Sequence, residues 1–144
     1  MRTELKQLKM LFQFWMFLFA IGAIVFFVAP DHVLQSLNLS TRYLPLLHSS
    51  LELGNYFWLP LAVSLMVVLV FLCYLIVQNI EESQPYVIVV LLSKSTSSLV
   101  FFFFFVRSLE APMFWGALTD GLIFIVTFIF YKRALNSGKN GGTP

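Results

Sequence analysis

Apolar residues fill four long segments of the chain, at residues 10–29, 56–77, 86–106 and 113–131. Each segment reaches the roughly 17–25 residues that an α-helix needs to cross about 30 Å of hydrocarbon. Each is also hydrophobic around its whole circumference, whereas a helix on the surface of a soluble protein keeps one polar side. In lipid, such a segment can satisfy its backbone only as a helix. The pattern therefore predicts an all-α membrane protein, a bundle of four transmembrane helices.

The connections between these segments predict how the helices are joined. The first connection, residues 30–55, opens with a helical pattern in which Val33, Leu34 and Leu37 share one side and which ends at Asn38. This pattern predicts a short amphipathic helix at the membrane interface after the first span. The next two connections are short, which predicts that the helices they join are antiparallel neighbours. The first span is longer than the core of a signal peptide and is interpreted as a retained helix.

Lysine and arginine are concentrated near the two chain ends, which predicts the orientation in the membrane. Six of the nine basic residues lie there: Arg2, Lys6, Lys9, Lys132, Arg133 and Lys139. Four spans put both termini on one side, and short loops rich in Lys and Arg stay in the cytoplasm. We expect a multi-pass protein of the bacterial inner (plasma) membrane with both termini cytoplasmic.

Composition supports a single membrane domain. Hydrophobic residues make up 59% of the 144 residues and charged residues 11%, whereas soluble domains carry about 25% charged residues. This length accommodates one domain, expected at residues 1–135. Residues 136–144 are mostly Gly, Asn, Ser and Lys, a composition that predicts a disordered tail.

Charge and cysteine content argue against several functional classes. The net charge of +2 is too small to indicate nucleic acid as a partner. The single cysteine, Cys73, excludes a disulfide framework and the membrane oxidoreductases that work through paired cysteines.

His48 and Glu52 stand at helical i, i+4 spacing but supply only two ligands, so we expect no metal site. Neither histidine lies at membrane depth, which leaves haem without axial ligands, and no cofactor is expected.

Two ionisable residues lie at membrane depth, where burying a charge costs about 2.5–3.5 kcal/mol even on the most lenient scale. Lys94 lies in an unbroken polar run, residues 93–98, and Asp120 lies in the fourth span. Six consecutive residues cover every side of a helix. Part of this run, Ser97 included, is therefore expected to contact a partner or ligand within the membrane. Hydroxyl groups that bond back to their own helix are the alternative. For Asp120, a pair with Arg107 at the outer end of the third span is slightly favoured over a pair with Lys94.

A second polar cluster is expected at the outer mouth of the bundle. His48, Glu52 and Asn55 share one side if the second helix begins early, and Arg107 ends the third span on the same side of the membrane. A solvated entrance to the helix accounts for this cluster more simply than a binding site does.

The chain resembles the DoxX-like superfamily of small four-helix membrane proteins over roughly residues 11–135. The matching features are a first helix that runs into a Phe-x-x-Pro stop (residues 27–30), a short amphipathic helix after it, a Glu-Leu-Gly pattern (residues 52–54) at the second helix, and basic residues at the end of the last helix. The polar run around Lys94 departs from the family. The resemblance implies either quinone-linked oxidoreductase subunits or accessory and trafficking factors.

These features leave two functional hypotheses. The first is a non-enzymatic subunit or accessory factor of a larger membrane complex, which contacts lipid and other membrane subunits or further copies of itself. The alternative is a quinone- or small-molecule-binding oxidoreductase subunit or carrier that uses Lys94 and Asp120. No redox motif, nucleotide-binding loop or catalytic triad accompanies either pattern, so the first hypothesis is favoured and an enzyme is not expected.

Overall fold

The computed structural model describes residues 3–39, 41 and 58–140, with side chains as far as residue 137. These residues form α-helices and, within the described ranges, no strand. The helices are α1 (Thr3–Val28), α2 (Pro30–Leu39), α3 (Leu59–Gln78), α4 (Gln84–Ser108) and α5 (Ala111–Asn140). Helices α1, α3, α4 and α5 are long and apolar enough to cross a membrane. The expected all-α fold with four membrane-length helices is therefore confirmed.

The break between α1 and α2 falls at Pro30, which has no N–H to continue the helical hydrogen bonds. Helical bonds run up to the break and resume after it, from Ala29 N to Val25 O (2.9 Å) and from Val33 N to Ala29 O (3.2 Å). The predicted short helix after the first span is thus present. It buries Leu34 almost completely and packs against α1 and α5, while its place at a membrane interface stays a prediction.

The four long helices pack as two close pairs, α1 with α3 and α4 with α5. The pairs meet mainly through α1 and α5, and α3 contacts α4 along a smaller stretch. The start of α1, the α3–α4 turn and the last turns of α5 lie at one end of the bundle, here called the terminal end. Adjacent helices are therefore antiparallel, as their connections predict, but the short α3–α4 turn does not make those two helices the closest pair.

The core lies between α1, α3, α4 and α5. Its fully buried members include Phe12, Cys73, Ile76, Val87 and Val90. Most of the other apolar side chains point outward and are exposed, as expected of a bundle whose outer surface faces lipid.

Helix α5 extends beyond the apolar segment that predicted it, to Asn140, past residue 136, while the disordered tail stays a prediction. Ala134 is buried against the neighbouring helices, and the Ser137 hydroxyl donates to the Ala134 carbonyl at 2.9 Å. Packing therefore holds the helix together beyond the point where its composition turns polar. Residues 141–144 lie outside the described ranges.

Candidate functional site

Lys94 and Asp120 form an ion pair between α4 and α5. The Lys94 Nζ donates to Asp120 Oδ1 at 2.7 Å, and the two side chains are only 11% and 13% exposed. The ammonium also lies over the Phe19 ring of α1, with the ring centroid 4.8 Å from Nζ. Three helices thus enclose the charge, and an aromatic face adds a cation–π contact.

The pair lies near the middle of the predicted membrane thickness. Lys94 is ten residues from the start of α4, which corresponds to about 15 Å at 1.5 Å per residue. That is half of the roughly 30 Å of hydrocarbon in a bilayer. Protein therefore replaces lipid around both charges at the depth where their exclusion from lipid is strongest.

The favoured pairing of Asp120 with Arg107 is wrong, because α4 and α5 are joined more tightly than the sequence pattern indicated. Phe101 lies against Gly116 and Ser98 against Gly121, which puts Lys94 and Asp120 about three residues apart in height, or roughly 5 Å. A lysine stem covers that distance, whereas Arg107 lies about 15 Å from the level of Asp120. The Arg107 guanidinium instead lies 5.5 Å from the centroid of the Phe103 ring.

The polar run of α4 divides among different environments. The Ser98 hydroxyl donates to the Ala117 carbonyl of α5 at 2.9 Å, and Ser95 bonds back to the Leu92 carbonyl at 3.1 Å. Ser97 is half-buried beside this contact, and the structure gives its hydroxyl no partner within residues 58–140. Ser93 and Thr96 point outward and are exposed. Back-bonding therefore accounts for Ser95 but not for the run as a whole.

The outer-mouth cluster is largely beyond what the structure describes. His48, Glu52 and Asn55 lie outside the described residues, and Arg107 is exposed at the end of α4. Among the described residues, no group of three or more His, Cys, Asp or Glu side chains is arranged to hold a metal ion.

A second buried polar contact, between α1 and α5, was not identified from the sequence. The Trp15 indole donates to the Thr127 hydroxyl at 3.1 Å, with both residues buried. Thr127 follows Asp120 by seven residues and therefore lies on the same face of α5, and Trp15 precedes Phe19 by four residues on α1. This spacing is the signal that could have identified one polar face of α5 directed at α1.

The structure also contains a cavity of about 510 Å³ at the terminal end of the bundle. Its walls come from the start of α1, the α3–α4 turn with the first turn of α4, and the last turns of α5. Its nearest lining residue on α4, Val87, lies about two turns from Lys94, so the two sites are separate.

Comparison of the chain with protein-family models, curated proteins and solved structures finds no match. The resemblance to DoxX-like proteins therefore stays a prediction.

Proposed function

We propose that this protein is a non-enzymatic subunit or accessory factor of a larger membrane complex, and that the outer face of α4 binds a transmembrane helix of another subunit. The observation that carries the proposal is the exposure of two hydroxyl residues, Ser93 and Thr96, at mid-membrane depth. They lie on either side of Lys94 in the sequence. Because Lys94 points into the bundle, the residue before it and the second residue after it lie about 100° and 160° around the helix and point away from the bundle.

The two hydroxyls belong to a stripe along α4 made of Val89, Ser93, Thr96 and Val100, here called the α4 stripe. Its members recur at positions i, i+4, i+7 and i+11, which is one face of a helix, and all four are exposed. Within residues 58–140, the structure gives neither hydroxyl of the stripe a hydrogen-bond partner. Hydrocarbon offers no acceptor either.

A transmembrane helix of another subunit would supply what the α4 stripe lacks. Small side chains such as those of Ser and Thr let two helices approach closely, and interhelical hydrogen bonds of polar side chains contribute about 0.6 kcal/mol each on average in a membrane protein. Two such bonds together with close packing suit a specific contact between subunits.

The Lys94–Asp120 pair supports a structural role over the alternative carrier role. Each charge already has its counter-ion at 2.7 Å, and Phe19 covers the ammonium. A quinone or another ligand would have to separate the pair before using either group. The pair instead fixes the rotation of α4 against α5, and that rotation turns the α4 stripe outward.

Co-purification in mild detergent from native membranes tests this proposal. The Ser93→Ala/Thr96→Val double variant removes both hydroxyls and nearly preserves the shape of the stripe, so we expect it to lose most of the co-purifying subunit. The matched control is Ser64→Ala on α3. Ser64 is also exposed, but its hydroxyl bonds back to the Leu61 carbonyl at 2.9 Å, so the control should retain the complex.

Three results would contradict the proposal. The first is that the double variant and the wild type co-purify the same subunits in equal amounts. The second is that the wild type is isolated alone, and the third is that it is isolated with a stoichiometric bound quinone. Recovery of a homodimer that depends on Ser93 and Thr96 would mean that the α4 stripe binds a second copy of this chain. That result would overturn the proposal that it binds a different subunit.

A further inference from the structure

The cavity at the terminal end combines an apolar floor with a polar rim. Leu5 and Leu8 of α1 and Val87 of α4 contribute to the floor, and Glu81 and Gln84 contribute to the rim. Its volume of about 510 Å³ lies within the 300–1,000 Å³ range of small-molecule sites. The arrangement suits an amphipathic ligand, with its polar group at the rim and its apolar part inside.

The charge at the rim indicates the sign of the polar group. Among the lining residues, Glu81 alone is charged, and it is exposed. The Ser83 hydroxyl already donates to the Ile80 carbonyl at 2.9 Å, which leaves Glu81, Gln84 and Tyr131 to meet a ligand. A carboxylate only accepts hydrogen bonds, and an ammonium donates three, so the rim favours a primary ammonium group.

The basic residues beside the cavity favour a headgroup that also carries a phosphate. Lys132 and Arg133 directly follow Tyr131, a lining residue, and both are exposed. Neither residue lines the cavity, and the Lys132 ammonium lies over the Phe128 ring, 5.4 Å from its centroid, so their positive charge acts on a headgroup from just outside the cavity. Arginine and lysine are the usual partners of phosphate oxygens. A zwitterionic headgroup with an ammonium and a phosphate complements both charges.

We propose that this cavity binds the headgroup of an aminophospholipid from the adjoining leaflet, with the ammonium on the Glu81 carboxylate and the phosphate at the height of Lys132 and Arg133. The glycerol and the first methylenes lie on the apolar floor. The terminal end is where the ends of membrane-length helices reach the headgroup region, so the ligand is at hand in the bilayer itself. The site is independent of the α4 stripe, which lies on the outer face of the bundle.

Lipid retention measured by native mass spectrometry tests the site. The full-length protein is placed in nanodiscs containing equal amounts of phosphatidylethanolamine and phosphatidylcholine, which share the phosphate but differ in the N–H donors of the headgroup. We expect the wild type to retain phosphatidylethanolamine several-fold over phosphatidylcholine. Glu81→Gln should abolish that preference.

Glu82→Gln is the matched control. Glu82 is the adjacent carboxylate, it is exposed, and its Oε2 accepts from the Asn79 amide at 2.8 Å rather than lining the cavity. This variant should keep the wild-type preference. Equal retention of the two lipids by the wild type, or an unchanged preference in Glu81→Gln, would overturn the proposal.

A second arm separates a lipid from a soluble amphiphile. Dodecylammonium is titrated into the protein in nanodiscs of phosphatidylcholine alone, with adduct formation as the readout. If it binds in a manner that depends on Glu81 while phosphatidylethanolamine is not preferred, the cavity takes a soluble amine and the lipid assignment is wrong. In the nanodiscs that contain both lipids, displacement of retained phosphatidylethanolamine by dodecylammonium supports the lipid assignment, because both ligands then share one carboxylate.

Discussion

At the scale of single residues, the Lys94–Asp120 contact turns two groups that lipid would exclude into one neutral pair. Both side chains are largely buried, Phe19 of α1 covers the ammonium, and neither charge has an alternative ionic partner within 4 Å among the described residues. Breaking a buried ion pair from one side costs about 3–5 kcal/mol, because the remaining charge keeps its desolvation penalty. Removing both partners avoids that penalty.

Lys94→Met and Asp120→Leu should therefore each lower the free energy of unfolding by about 3 kcal/mol. The double variant should lie within about 1 kcal/mol of the wild type, which corresponds to a coupling energy far above zero. Reversible unfolding in mixed micelles, followed by circular dichroism, measures all three variants. Additive losses in the double variant would mean that the contact contributes little to stability.

The sequence indicates that Lys94 and Asp120 each need protein around them. It does not indicate that the two residues pair with each other. Membrane depth alone singles out Lys94 and Asp120, because the cost of a bare charge in lipid is large and local. The pairing depends on the height of one helix against another, to within a few ångströms. That height follows from a turn of two residues between α4 and α5 and from side chains in contact across them, which no apolar pattern records.

At the scale of elements, the close approach of α4 and α5 rests on glycine. A Cβ on Gly116 would lie 2.9 Å from two carbons of the Phe101 ring, closer than atoms pack without a shift. Gly121 is similarly close to Ser98, at 3.0 Å from its Oγ. These two glycines let α5 lie near enough to α4 for the Ser98 hydroxyl to reach the Ala117 carbonyl.

Gly116→Ala should accordingly destabilise the protein by about 1–3 kcal/mol, the usual range for overpacking a close contact. Gly22→Ala on α1 is the control, since its Cβ would lie 3.4 Å from the flexible end of Met66. That variant should be neutral or slightly stabilising, because Ala favours helix over Gly. Thermal unfolding of the two variants side by side checks the difference, and equal behaviour would contradict the packing argument.

The elements themselves were largely predictable because their causes are local. Length and apolar character determine the four membrane-length helices, and Pro30 with the pattern of Val33, Leu34 and Leu37 determines α2. The end of α5 was not predictable in this way. Composition predicts a tail that begins at residue 136, whereas α5 continues to Asn140, and the burial of Ala134 against other helices is a tertiary contact that composition does not record.

At the scale of the whole molecule, the antiparallel arrangement places Lys6, Glu82 and the end of α5 at the terminal end, and Arg107 at the opposite end. Which end faces the cytoplasm is a matter of loop charge, and the six basic residues near the termini predict that the terminal end does.

Cysteine accessibility in a Cys73→Ser background tests this topology in intact cells and in inverted vesicles. Cysteines at positions 6 and 82 should react only from the cytoplasmic side, and cysteines at positions 42 and 107 only from the outside. Labelling of positions 82 and 107 from the same side would contradict the four-span arrangement. The reverse pattern at all four positions would keep the fold and invert the orientation.

The distance in sequence between Lys94 and Asp120 has a consequence for biosynthesis. When α4 emerges from the ribosome, its lysine has no counter-ion, because Asp120 follows 26 residues later. A lone lysine at the centre of a helix opposes its transfer into lipid by about 2.5–3.5 kcal/mol. Pairing with Asp120 of α5 removes part of that cost, so we expect α4 to insert more readily together with α5 than alone. The order of synthesis thus couples the insertion of α4 to that of the helix that follows it.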